Sequence, residues 1–182
     1  MITTESRLNY RQSILQIVFT TCVILASMTT WAAAENFPKE TILPLKLAQK
    51  AAAAAITKCE ESGYHVSVAV VDQGGNTRAL LRGDGAGPHT VDSSSRKAYT
   101  SASLRRSTQH LAELIAKMPT LRALGDMNDK ILILGGGLPI EFNGTVVGGI
   151  GVGGAPGAQL DEACAAAGLL SIGATTHGHP SP

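Results

Sequence analysis

Ten of the 20 glycines in this 182-residue chain fall between residues 135 and 157, a stretch whose only charge is Glu141. Glycine inside a strand pattern marks a bulge or the close approach of another backbone or a ligand. A core built around such a segment must use small side chains and short distances. Aromatic residues are correspondingly scarce. There are seven, and Tyr10, Phe19 and Trp31 lie in the first 34 residues, which leaves Phe37, Tyr64, Tyr99 and Phe142. That excludes a nucleic-acid binder built on aromatic platforms.

Residues Met1–Ala34 read as a removable export signal. Arg7 and Arg11 supply a positive start, Ile14–Met28 is an uncharged apolar run, and Ala32-Ala33-Ala34 offers a small-residue cleavage site. The run falls short of the roughly 20 residues that a spanning helix needs, so cleavage is favoured over a membrane anchor. The mature chain, about 148 residues by this reading, is one domain in the periplasm or outside the cell. Its net charge is about zero without a basic cluster, which argues against nucleic acid as a partner. Cys59 and Cys164 remain. They could form one disulfide in an oxidising compartment, but their alanine-rich helical settings favour buried free thiols. His177 and His179 lie in a Gly/Pro/Ser tail, residues 175–182, expected to be disordered.

The hydrophobic pattern predicts helices over Leu45–Glu61, Thr90–Leu104, Thr108–Lys117 and from Asp161 to Ile172. On the first, Leu47, Ala51, Ala54, Ala55 and Lys58 share a face. Strands are predicted at His65–Asp72 and Thr77–Arg82, joined by a glycine turn in which Asp72 is a turn former. Further strands are expected at Ile131–Leu134 and Thr145–Val152, with Asn143-Gly144 as a type I′ hairpin signal. Tight hairpins with helices in the connections give an α+β fold with an antiparallel sheet.

Two segments carry more special residues than folding alone requires. The first runs from Arg82-Gly83-Asp84-Gly85-Ala86-Gly87-Pro88-His89 into Arg96-Lys97-Ala98-Tyr99-Thr100. A glycine loop before a helix start is a general anion site, but the spacing is not that of a nucleotide loop. Arg82, Asp84 and Lys97 could equally form an ion-pair set that holds the loop. The second segment is Gly135-Gly136-Gly137-Leu138-Pro139-Ile140 and the glycines after it. Tight helix packing accounts for Gly149 and Gly151 more readily than for the triple glycine. No nucleophile motif, carboxylate pair or zinc spacing occurs. The residues favour a site for a small ligand, largely apolar with one or two anionic groups.

These segments, with Val68-Ala69-Val70-Val71-Asp72-Gln73-Gly74-Gly75 and Val146-Val147-Gly148-Gly149-Ile150-Gly151-Val152, resemble the GlcG/HbpS family of haem-binding proteins, related to the carboxy-terminal domain of PduO-type proteins. The resemblance spans about Leu43–Ala174. It implies a profilin-like sandwich around an antiparallel sheet, assembly into homo-oligomers, haem as cofactor and, in some members, iron or redox sensing beside a sensor protein. The family commonly has methionine where this chain has Gly83. Under this reading His89 is the axial ligand, with Thr100 and Thr108 behind it. Arg82, Arg96 and Lys97 pair with propionates, Asp84 belongs to the same loop, and Gly136, Gly137, Leu138, Pro139 and Ile140 form an apolar wall. The alternatives are an enzyme acting on a small carbonyl or acid substrate, with His89 or Asp84 as acid and base, and a purely structural or partner-binding module.

Overall fold

The computed structural model describes residues 40–175; the predicted export signal and the histidine-bearing end of the tail lie outside them. Four strands form one antiparallel sheet: β1 (Ser67–Asp72), β2 (Thr77–Arg82), β3 (Gly137–Phe142) and β4 (Thr145–Gly153), in the order β2-β1-β4-β3. Among the described residues four α-helices accompany it: α1 (Leu45–Glu60), α2 (His89–Leu104), α3 (Thr108–Lys117) and α4 (Ala158–Ser171). A 3₁₀ segment covers Pro119–Asp126. The α+β class with a central antiparallel sheet is as the sequence predicts.

Local chemistry sets the connections. Asp72 accepts the Asn76 amide at 2.9 Å and closes the β1–β2 turn. Asn143 and Gly144 both take positive φ, the conformation that a type I′ hairpin demands. Ser107 caps α3 by accepting the His110 amide at 3.0 Å. Pro139 is tolerated because β3 is an edge strand. The strand expected at Ile131–Leu134 does not form. Those residues are irregular, and pairing begins only at Gly137, where β3 meets β4 in the register Gly137↔Gly151.

The two faces of the sheet are built differently. On one, Val66, Val68, Val70, Leu138, Ile140, Ile150 and Val152 meet small residues of α1 and α4 in the main core. The buried face of α1 is Ala48, Ala51, Ala52, Ala55 and Cys59, rotated from the predicted stripe because Leu47 lies at its border and Lys58 points to solvent. Gly168 lets the two helices approach, since a Cβ there would lie 2.6 Å from the Ala51 carbonyl. Cys59 and Cys164 join α1 to α4 as a disulfide, Cα–Cα 5.6 Å. This corrects the expectation of free thiols: two alanine-lined helices bring their backbones close enough for the bond.

On the other face α2 lies on β4 with almost no side chains between them. A Cβ on Gly149 would strike the Ala98 carbonyl, one on Gly151 the Ser94 carbonyl, and one on Gly153 would lie 2.6 Å from Ser93 Oγ. The alternation of these glycines puts all three on one face of the strand. Only Ala69, Val71, Ala98 and Ala102 form an apolar cluster here.

Gly151→Ala should destabilise the fold by about 1–3 kcal/mol through overpacking. Gly125→Ala, with nothing within 4 Å of the new methyl, should stay within about 0.5 kcal/mol of the parent; urea midpoints decide between them. Replacing both cysteines by alanine should lower stability by about 2–5 kcal/mol, because the bridge spans 105 residues of sequence. Equal urea midpoints for parent and double variant would rule out that contribution.

Candidate functional site

The eleven residues singled out in the sequence separate into four places. The first is the loop between β2 and α2. Gly83 extends the sheet by donating to the Val66 carbonyl at 2.9 Å. Arg82 folds back so that Nε donates to the Ala86 carbonyl at 3.0 Å, while Ala86 is buried. Thr90 Oγ1 donates to the Gly87 carbonyl at 2.6 Å and meets Ser67 Oγ at 2.7 Å. The loop is therefore fixed at both ends. Arg82, Asp84 and His89 stand exposed on it. Two imidazoles lie over its backbone: a Cβ on Gly85 would be 3.2 Å from His65 Nδ1, and one on Gly87 2.7 Å from His89 Cε1. A side chain at position 83 would place its Cβ 3.0 Å from the Val66 carbonyl and 3.6 Å from the Glu60 carboxylate.

The second place is a buried ion pair. Lys97, 2% exposed, donates to Asp161 Oδ2 at 2.8 Å and to the Val152 carbonyl at 2.9 Å. Asp161 Oδ1 accepts the Ala155 amide at 3.0 Å. Gly135–Gly137 wraps this pair. Gly136 takes φ +112, and a Cβ there would lie 2.7 Å from both Asp161 Cβ and the Val152 carbonyl. Gly137 has no room for a side chain beside the Lys97 carbonyl, and its amide donates to Thr108 Oγ1 at 2.8 Å. The triple glycine thus has a structural cause at every position, and the Lys97 ammonium is occupied within the fold. Burial raises the Asp161 pKa above the ordinary carboxylate value, with Lys97 opposing that rise.

Leu138 and Ile140 make up the third place. They point into the core shared with α1 and α4, on the opposite face of the sheet from α2, with Pro139 between them. They do not share a pocket with His89.

The fourth place is a cleft of about 250 Å³ between α2, the β1–β2 turn and the 129–130 segment. Val71, Gly75, Thr77, Asp92, Ser95, Arg96, Tyr99, Asp129 and Lys130 line it. Arg96 Nη2 donates to the Ile131 carbonyl at 2.8 Å, and Nη1 lies 3.6 Å from Asp92. Its Nε is buried with no hydrogen-bond partner. Thr100 sits behind, donating to the Arg96 carbonyl and accepting the Leu132 amide, both at 2.8 Å. Sequence reasoning reached Arg96 but not Tyr99 or Lys130 as cleft residues. The i, i+3 spacing of Arg96 and Tyr99 was a usable signal; nothing in the irregular 118–134 stretch marked Lys130. A further depression of about 410 Å³ separates α3 from α4, and Glu113 and Glu162 make its lining acidic.

Against known families, residues 43–170 match the family described as haem-degrading protein HbpS-like. The chain belongs to that family. A crystal structure of a double mutant of HbpS from Streptomyces reticuli is 45% identical, with a TM-score of 0.71 over 81% of this chain and 95% of that one. Protein GlcG of Escherichia coli K12 is 33% identical over 113 residues, 62% of this chain and 82% of its own. A structure of a PduOC:haem complex shares the fold at 23% identity, TM-score 0.69, over 75% of this chain and 99% of that one. The Arg96-Lys97-Ala98-Tyr99-Thr100 stretch is divided between two of the four places, with Arg96, Tyr99 and Thr100 at the cleft and Lys97 in the buried pair.

The ion pair makes a sharp prediction. Lys97→Met leaves a buried carboxylate without its cation and should cost about 3–5 kcal/mol, whereas Lys97→Met with Asp161→Leu should recover most of it. Because its folded pKa is raised, Asp161 holds its proton where the unfolded chain has released it. Its contribution to stability therefore falls as pH rises from the unfolded value of 3.8 through the folded one. Lys97→Met should extend that fall to higher pH, and the double variant should lack it; urea unfolding at several pH values measures both.

Proposed function

We propose that this chain is an exported haem-binding protein, with His89 as the axial ligand. The carrying observation is what the structure gathers around the β2–α2 loop. Ala79 points into the α1/α4 core, so Leu80 and Arg82 stand on the side of the sheet that α2 covers. Leu80 is 41% exposed, Arg82 is fixed on the loop, and α2 begins at His89. An imidazole can hold iron, a guanidinium can pair with a propionate, and an exposed aliphatic surface can meet the ring. Among the described residues no group of three or more His, Cys, Asp or Glu is placed to hold a metal ion; a haem iron needs only one or two such ligands.

Size supports a surface site. The Arg96 cleft, about 250 Å³, lies below the roughly 300–1,000 Å³ of pockets that enclose drug-sized ligands, so a porphyrin does not enter it. Family membership supports the cofactor, and the Cys59–Cys164 disulfide supports an oxidising compartment. Bound haem would supply redox chemistry at its iron. His89 would set the ligand field, while Arg82 neutralises a propionate and fixes the orientation of the ring.

Titrating the purified protein with haemin should give a saturable Soret shift. His89→Ala should abolish or displace that band, and Arg82→Gln should weaken affinity about tenfold while leaving the band position unchanged. A parent protein with no saturable shift would sink the binding claim; an unaltered spectrum in His89→Ala would sink the ligand assignment.

A further inference from the structure

We propose that the cleft at Arg96 is a second site, separate from the haem surface, that binds a small organic carboxylate. The orphaned Arg96 Nε–H carries this. Of the guanidinium's groups, Nη2 is spent on the Ile131 carbonyl and Nη1 has only the distant Asp92 carboxylate at 3.6 Å. Nε is shielded from solvent and has no acceptor within the fold. A buried donor without an acceptor costs free energy unless something else supplies one. Once a small rotation of the Arg96 side chain uncovers Nε, a carboxylate can accept from Nε and Nη1 together, in the paired geometry that favours arginine over lysine at such sites.

The surroundings define the ligand. Lys130 Nζ sits 5.4 Å from the centroid of the Tyr99 ring, which places a second cation at the rim over an aromatic floor. The Tyr99 ring also packs directly on Gly75, where an added Cβ would lie 2.6 Å from it. The floor is therefore fixed by the β1–β2 turn. Asp92 and Asp129 also line the cleft. The Asp92 side chain is 72% exposed, so it can swing away from Nη1 when a ligand carboxylate takes its place. Asp129 favours a ligand that carries a hydroxyl or amino donor beside its carboxylate. A cavity of about 150 Å³ can hold benzene, so the volume of about 250 Å³ admits carboxylates up to about the size of benzoate.

The test uses the purified protein, with acetate, lactate and benzoate as probes and chloride at equal ionic strength as the control. In ¹⁵N-detected spectra the Arg96 Nε–H signal should shift saturably with acetate, lactate and benzoate, and not with chloride. Arg96→Gln should weaken acetate binding by about tenfold or more, as expected for loss of a charge-assisted hydrogen bond. That variant also breaks the tie to Ile131, so Lys130→Gln, which leaves the tie in place, is the second variant and should weaken binding as well. Both should leave the haemin titration unchanged. A response equal to that of chloride, or none, overturns the proposal. So does a loss of haemin affinity in either variant, or displacement of acetate by haemin, because the cleft would then be a propionate pocket of the haem site. Failure of haemin to bind at all, with acetate binding intact, sinks only the haem reading.

Discussion

The contact on which the rest of the structure depends is backbone against backbone, where α2 lies on the glycines of β4. Helix and sheet are ordinarily held apart by a layer of side chains, and burial of that layer holds them together. Here Gly149, Gly151 and Gly153 remove the layer, and α2 sinks until its carbonyls reach the strand. Apolar burial on this face reduces to Ala69, Val71, Ala98 and Ala102, so close dispersion contact and polar ties must supply much of the adhesion. The polar ties are on hand. Ser101 Oγ donates to the Leu138 carbonyl at 3.0 Å, and Ser67 meets Thr90. The short distance also makes the Lys97–Asp161 pair possible, because a lysine on a helix held farther off could not be buried beside the strand while bonding the Val152 carbonyl.

That economy of side-chain volume recurs on the other face, where alanines of α1 meet Gly168 and Ala165 of α4. Cores of small residues bury less apolar area per residue than cores of leucine and phenylalanine, and are correspondingly weaker. The Cys59–Cys164 bridge joins the two helices whose contact has the least side-chain bulk to hold it. By limiting the unfolded ensemble across 105 residues, it contributes where area cannot. Glycine packing, buried ion pair and disulfide are thus three answers to the same shortage of large apolar groups.

The class of fold was legible in the sequence because it rests on local signals. The hairpin turns at Gly75 and Asn143-Gly144 and the alternating valines of β1 all act within a few residues, and all appear in the structure. The family motifs were legible for the same reason. The division of labour among them was not, because it depends on partners far away in the chain. Lys97 and Asp161 are 64 residues apart, and nothing near either one announces the other. One clue was present: Lys97 shares a helix stripe with Thr90, Ser94 and Ser101, all buried. A lysine in such a stripe must have a fixed anionic partner. The packing role of the triple glycine is hidden for the same reason, since the bulk that it avoids is contributed by α2, α3, α4 and the Val152 carbonyl.

The periodicity of α2 explains why adjacent motif residues do unlike things. Thr90, Ser94, Lys97, Ala98 and Ser101 follow the inward stripe and are buried. His89, Asp92, Arg96 and Tyr99 recur at three or four residues on the other side, where the loop and the cleft lie. Arg96 and Lys97 are consecutive, yet about 100° of helical rotation sends one cation to the cleft and the other into the fold. The buried stripe fixes the azimuth of the helix to within what the glycine contacts allow. It thereby sets the positions of the outward residues as well, and a ligand site on the outer side inherits its geometry from packing on the inner one. The methyl introduced by Gly151→Ala is remote from any ligand, but rotating or lifting α2 to make room for it would move His89 and Arg96 together. Ligand binding at both places should therefore respond to that inner-face substitution, a coupling that proximity in sequence alone would not produce.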